Sequence, residues 1–319
     1  MSTGADPVTA HRLTTVVVSW NTRELLARCL ASIRDHAAPG LDNEIVVVDN
    51  GSDDGSLEML REQWPEVRVI ANSTNVGFTK ANNQALRSTG GRYVLLINAD
   101  AWLAPGCLER LAAQLDADPR AAVAGPRLVY GDGRWQRWTA GREPGLRSVG
   151  GYLFLFDRFG HRWPSMAGIY LAKDVRTAFT PDWVSSACML VRRSALEEVG
   201  LLDESLFAYM DDVDLCRRVR ERGGRVWYVP EAECVHLMGR NVEGRPAASP
   251  QALLALNRYY ARSHGRVALL GLRALEAVGF GLRAAAYGAR GVALREQGAT
   301  DSARAHWMHL RLSLERPNA

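Results

Sequence analysis

From Leu13 the chain alternates short β-branched and aliphatic runs with amphipathic stretches. TTVVVS, EIVVVD, VRVIA and YVLLIN read as strands, and RELLARCLASIRDH, SLEMLREQW and NNQALRS between them read as helices. Continuous Val/Ile/Leu runs separated by helices predict a mostly parallel sheet covered on both faces, as in nucleotide-binding α/β folds. Ligands of such sheets lie at the carboxyl ends of the strands. Three of those ends are polar: Ser19-Trp20-Asn21, Asp49-Asn50-Gly51-Ser52 and Asn98-Ala99-Asp100. Turn and helix-cap chemistry alone also places Asp, Asn, Ser and Gly at such ends, so no single one decides a function.

Between about Gly131 and Thr180 the pattern dissolves into Gly, Arg and Trp, which predicts long loops or short strands rather than a second domain. Regularity returns with WVSSACMLVRR as a strand, SALEEVG as a short helix, DVDLCRRVRERGG as a helix ended by glycines, and RVWYVP as a strand. Beyond Pro250 the chain is helical in character: ALLALNRYYARS, an Ala/Leu/Gly-rich stretch from Arg266 to Arg295, then SARAHWMHLRLSL. The glycines of the middle stretch weigh against one continuous helix. Arg273, Glu276, Arg283 and Arg290 interrupt it, so no bilayer-spanning segment is expected. The expected division is a catalytic domain over 1–249 and a helical extension over 250–319.

On a helical wheel Arg266, Arg273, Arg283, Arg290 and Arg295 fall within an arc of roughly 140°, and the rest of that helix is apolar. Such a helix suits an anionic membrane surface, or packs on the catalytic domain or on a second copy in a homodimer. A chain of 319 residues with 47% hydrophobic content can bury a sizeable core. The formal charge of +4, without a dense Lys/Arg run, argues against a nucleic-acid partner. Five cysteines without a CxxC pair argue against a disulfide framework or a zinc knuckle and fit a reducing cytosol. The first residues, MSTGADPVTAHR, lack the pattern of a secretory signal, so a cytoplasmic location is expected.

Candidate chemistry sits at three places. Asp100, held behind a buried strand, is a good position for a hard divalent cation, which takes carboxylate oxygens together with substrate diphosphate oxygens. Asp211, Asp212 and Asp214 crowd the start of a helix; capping accounts for one or two of them, and Asp214 is spaced to pair with Arg217 or Arg218. His236 ends the run ECVHLMGRN with Arg240 close behind. Beside a diphosphate such a His could ligate the metal or donate to phosphate oxygen, and Arg240 could neutralise charge on the leaving group.

Taken together, VVVSWN, VVVDNGSDDGS, NVGFTKANNQA, LLINADAW, WVSSACMLVRR, YMDDVDLCRR and VHLMGRN resemble, in order, glycosyltransferase family 2 and particularly its bacterial rhamnosyltransferase-like members. The resemblance spans about Thr14 to Asn241. It implies the GT-A fold, with the helical extension appended. It implies that Ser19, Asn21 and Asp49 surround the nucleotide base and ribose, with Asn75, Gly77 and Asn82 completing the wall. Asp100 matches the last acid of the metal motif, whereas Asn98 replaces its first. Asp212 matches the acid assigned as catalytic base, and Ser186 stands where the family often has Gly.

The implied activity is metal-dependent (magnesium or manganese), inverting transfer of a sugar from a nucleotide-diphosphate donor, dTDP- or UDP-linked. L-Rhamnose from dTDP-rhamnose is the leading donor. The acceptor is a saccharide or lipid-linked saccharide, and the enzyme is expected in the cytoplasm or peripherally on the inner membrane face. A sugar nucleotidyltransferase and a non-catalytic saccharide-binding protein of the same fold are the alternatives. Neither a GxxxxGK[ST] loop nor a GxGxxG after the first strand is present, and intact Asp100 and Asp212 argue against a decayed enzyme.

Overall fold

The first four strand runs form as the pattern dictates, because each is long enough to cross a sheet and apolar enough to be covered on both faces. In the computed structural model, which describes residues 13–160, 162–163, 168–237 and 249–315, these strands are β1 (Leu13–Ser19), β2 (Asn43–Asp49), β3 (Arg68–Ala71) and β4 (Tyr93–Asn98). All four are mutually parallel, with β1 central to β2 and β4. The intervening helices are α1 (Arg23–Asp35), α2 (Ser56–Gln63) and α3 (Phe78–Arg87). Helix α1 buries Leu26, Cys29, Leu30 and Ile33, one stripe at helical spacing, onto Leu13, Val17 and Tyr93 of the sheet. Burying each such side chain contributes about 1.5–3 kcal/mol.

The sheet continues with β5 (Ala101–Leu103), α4 (Cys107–Ala117) and β6 (Ala121–Val129). The run WVSSACMLVRR, expected as one strand, is two. β8 (Trp183–Val184) pairs with β7 (Ala140–Gly141), while β9 (Cys188–Arg192) lies antiparallel between β4 and β6. The break falls at Ser185–Ala187, where the Ala187 N–H donates to Ser185 Oγ rather than to a neighbouring strand. A short helix α6 (Arg193–Val199) and the acid-led α7 (Asp211–Glu221) follow, then β10 (Arg225–His236). RVWYVP and the ECVH segment, read as separate runs, form this one strand. Its register against β6 slips between Val229 and Glu233, around Pro230, which has no N–H to give the ladder. The eight-stranded order is β3-β2-β1-β4-β9-β6-β10-β5, mostly parallel, with β9 and β5 reversed.

The five cysteines are free and buried. Cys107, Cys188 and Cys234 lie together in the core, and burial pushes the Cys216 thiol up to about 12.

By packing, the described residues fall into two compact units. One is drawn from 1–141, 174–207 and 211–242 and holds the sheet; the other is drawn from 142–173, 208–210 and 243–319. The second contains a helix in the stretch expected to lack one: α5 (Leu146–Leu153), followed by a 3-10 turn at Phe156–Phe159. Gly150 and Gly151 hid its period. With it pack α8 (Pro250–Ser263), α9 (Gly265–Leu294) and α10 (Gln297–Leu314). Helix α9 is continuous over 30 residues despite its glycines, because some of them are close-approach positions. A Cβ on Gly279 would meet Leu153 of α5, and one on Gly291 would meet Thr300 of α10.

Candidate active site

The polar strand ends converge as the parallel sheet requires. Register places Ser19 beside Asp49, and the Asn50 N–H donates to Ser19 O at 2.8 Å. Asn21 takes φ +52°, a conformation Asn tolerates, and its Oδ1 accepts from the Asp53 N–H while its own N–H donates to Ser52 Oγ. Asp49 is fully buried. Its Oδ1 accepts from the N–H groups of Gly51 and Ser52, and its Oδ2 accepts from Ser52 Oγ at 2.6 Å. These bonds shape the turn and leave Oδ2 one further lone pair.

Behind the turn runs an amide ladder that motif reading missed. Asn50 Nδ2 donates to Asn75 Oδ1 and Gly77 O, Asn72 Nδ2 donates to Asn50 Oδ1, and Asn72 and Gln84 exchange bonds. Recurrent Asn and Gln on consecutive loop and helix positions was the available signal. Asn82, expected on the nucleotide wall, is buried with its amide bonded to Phe78 O of its own helix. Its neighbour Asn83 instead ties α3 to Leu202 and Glu204.

Gly77 has φ +91°, and a Cβ there would stand 2.7 Å from the Phe207 ring and 2.9 Å from Phe207 O. That carbonyl accepts the Phe78 N–H at 2.7 Å. We expect Gly77→Ala to cost about 1–3 kcal/mol through combined backbone strain and overlap. Gly133→Ala isolates the first effect, since Gly133 has φ +80° and nothing within 4 Å of its Cβ position. Thermal melts of the two variants decide: equal losses of Tm would mean Phe207 exerts no steric demand.

The second cluster forms where β10 meets β5. Register sets His236 opposite Ala101, and the Leu237 N–H donates to Asp100 O, so His236 Nε2 lies 3.4 Å from Asp100 Oδ1. Gln136 orients the ring. Its Nε2 donates to Val129 O and His236 O, which leaves its Oε1, 3.2 Å from His236 Nδ1, to accept the ring N–H. The Nε2 lone pair of a neutral imidazole then points toward Asp100 and Asn98. An imidazole held by its other nitrogen, with its Nε2 turned to a carboxylate oxygen and to the Asn98 amide at 3.3 Å, presents donors of the kind a divalent cation takes together with substrate oxygens. Among the described residues no group of three or more His, Cys, Asp or Glu side chains is placed to hold a metal. A cation here would therefore draw its remaining ligands from elsewhere. Arg240 lies outside the described residues.

The third cluster opens α7. Tyr209 and Met210 both have positive φ before the helix begins, a strained entry for non-glycine residues. Asp214 pairs with Arg218 Nε at 2.8 Å, and that guanidinium donates to the carbonyls of Val199, Gly200 and Leu201, which makes Asp214 structural. Asp211 is buried, with its Oδ2 lacking a partner. Asp212 is partly buried. Its Oδ1 accepts from the Val213 N–H and its Oδ2 from the Ser186 N–H at 3.3 Å. Burial pushes both carboxyls above the usual carboxylate range, and at Asp212 the charge of Asp211 adds to it. Ser186 is absent from the positive-φ residues, so it stands in the Gly position without backbone strain. The Asn98 N–H donates to Ala187 O. Thus the residues from 186 to 187 bridge the β4 end, which leads into Asp100, to Asp212.

Residues 14–200 match the family model for glycosyl transferase family 2. The chain belongs to this family. The family's match covers the sheet from β1 through α6, including both the Asp49 turn and Asp100. It is 30% identical over 250 residues to an N-acetylglucosaminyl-diphospho-decaprenol L-rhamnosyltransferase of Mycobacterium tuberculosis, covering 74% of this chain and 79% of the relative. A mannosyltransferase from Pyrobaculum calidifontis, solved with GDP-Man and Mn2+, aligns with a TM-score of 0.54 and 20% identity over 97% of this chain and 90% of its own. TarS from S. aureus, solved with UDP-GlcNAc, aligns with a TM-score of 0.51 and 15% identity over 94% and 82%. The family 2 chain therefore has the GT-A glycosyltransferase fold expected from its motifs.

Proposed function

We propose that this family 2 glycosyltransferase is a metal-dependent, inverting enzyme that transfers L-rhamnose from dTDP-rhamnose to a lipid-linked saccharide. The observation that carries the reading is the bridge of residues 186 to 187 between the Asp100–His236 pair and the Asp212 carboxylate. In this reading the bridge would hold a leaving-group site and a proton acceptor on neighbouring elements. The activity of the mycobacterial relative supports the choice of sugar and of acceptor class. Residues 1–249 would form the catalytic domain and 250–319 its appendage.

In this reading Ser19, Asn21 and Asp49 bind the nucleoside, with the remaining lone pair of Asp49 Oδ2 available to a base N–H, while Asn75 and Gly77 shape the adjoining wall. Asp100 and His236 would hold the cation, which supplies Lewis-acid stabilisation of the departing diphosphate. Asp212 takes the proton from the acceptor hydroxyl as its oxygen attacks the anomeric carbon. The carbon–oxygen bond to the diphosphate breaks on the opposite side, so configuration inverts. Arg240, four residues beyond His236 in the sequence, would neutralise charge on the leaving group.

A panel of nucleotide sugars tests the donor. With magnesium or manganese present, slow hydrolysis should be fastest for dTDP-rhamnose. A clear preference for a UDP- or GDP-sugar would remove rhamnose as the donor, and nucleotidyl transfer from a nucleoside triphosphate would favour the alternative enzyme class.

A further inference from the structure

The outward side of α9 is apolar along its whole length. Its buried side consists of Leu269, Leu272, Glu276, Gly279, Phe280 and Gly291. On the opposite side Val267, Leu270, Val278, Leu282 and Val292 are 85%, 67%, 55%, 58% and 83% exposed, with only Ala and Gly between them on an arc of roughly 120°. The sequence places a cationic stripe opposite an apolar face and leaves open which of the two packs inward. In the structure Arg273 donates to Ser313 O of α10, Arg283 donates to Leu153 O and Tyr152 O of α5, and Arg290 pairs with Glu296. The arginines hold the helix to its neighbours, and the greasy side is left outside.

Charge is segregated along the chain in the same place. Residues 250–319 carry ten arginines and four acids, a net +6, whereas 1–249 carry 29 basic and 31 acidic residues, a net −2. Of the four acids, Glu276 is buried, Glu296 pairs with Arg290 and Asp301 with Arg304. Arg266 and Arg295 are exposed near the two ends of the apolar side.

We infer that the Val267–Val292 side of α9 is a membrane-docking surface that lies in the interface of an anionic bilayer. Two like-charged +6 segments repel, which disfavours a second copy as the occupant, whereas an anionic lipid surface attracts that charge and accepts an apolar face that offers no polar group for specific pairing. Among the described residues no helix is long and apolar enough to cross a membrane, so the contact is in the plane of the interface. This deepens, and rests on, the lipid-linked reading of the acceptor.

Sedimentation of the full chain with phosphatidylcholine vesicles, with and without phosphatidylglycerol, tests the surface. Wild type should bind the anionic vesicles, and Val278→Asp with Leu282→Asp should weaken that binding at least about tenfold at unchanged Tm. The control, Gln251→Asp with Gln297→Asp, changes net charge equally at two exposed helix N-termini away from this side and should bind within about threefold of wild type. Equal losses in both double variants would reduce the contact to bulk charge and overturn the docking surface. So would vesicle binding that the α9 variant leaves intact, or a wild-type dimer that the α9 variant splits. Vesicle binding needs no acceptor, so transfer that fails with every lipid-linked saccharide would sink the acceptor reading while the surface still stands.

Discussion

Asp212→Asn is expected to bind donor and metal nearly as wild type while its transfer rate falls by about 10²–10⁴-fold, or about 3–5 kcal/mol of barrier. The substitution keeps size and leaves one acceptor oxygen, which serves either the Ser186 N–H or the Val213 N–H, and it removes the proton-accepting charge. Because burial and Asp211 raise the Asp212 pKa, the competent carboxylate forms only as pH climbs past the usual carboxylate range. Wild-type turnover should therefore rise with pH through that raised pKa, and the variant should lose this limb. The sign for stability is opposite. A raised native pKa means the folded state favours the protonated acid, so stability declines as pH rises from the unfolded value toward the native one. Asp212→Asn removes that loss, and its Tm at neutral pH should equal or exceed wild type. Single-turnover rates at saturating donor and acceptor decide: a variant within threefold of wild type would rule out Asp212 as the base. Asp211→Asn should cost less, since Asp211 is the more buried of the two acids.

Asp100→Ala should abolish the metal-dependent part of nucleotide diphosphate affinity. Calorimetric titration of dTDP or UDP with and without magnesium or manganese measures this without turnover. The carboxylate is one of two protein groups gathered at the pair, so its removal leaves His236 alone and the metal increment should vanish. Gln136→Leu should weaken metal binding by about 10–10²-fold through loss of the ring's anchor, with Asp100 intact. If Asp100→Ala binds the nucleotide with unchanged affinity and unchanged metal dependence, the metal assignment is wrong.

The sheet was legible because its strands are buried on both faces, so Val, Ile and Leu run without polar interruption and the helices between them show single apolar stripes. Asp100 and the Asp49 turn were legible for the same reason, as polar residues ending such runs. What escaped were features decided by distant partners. Gln136 sits in a stretch without period, and only its hydrogen bond back to Leu128 of β6, together with the pairing of β6 with β10, brings it to His236. Ser185–Ala187 looks like strand interior, yet it breaks there to meet α7. Helix α5 was hidden by its glycines, and the direction in which the α9 arginines point depended on carbonyls of α5 and α10 that no local pattern encodes.

The buried thiols have a practical consequence for watching this protein at work. Alkylating dyes attack thiolates, and every native cysteine is both withdrawn from solvent and held protonated at neutral pH. The wild-type chain is therefore a blank background for maleimide chemistry, with no need to delete its own cysteines first. Val278→Cys would offer a single reactive sulfur at the middle of α9. An environment-sensitive fluorophore attached there would change its emission as lipid replaces water around it, while the core thiols beneath the sheet stayed unlabelled.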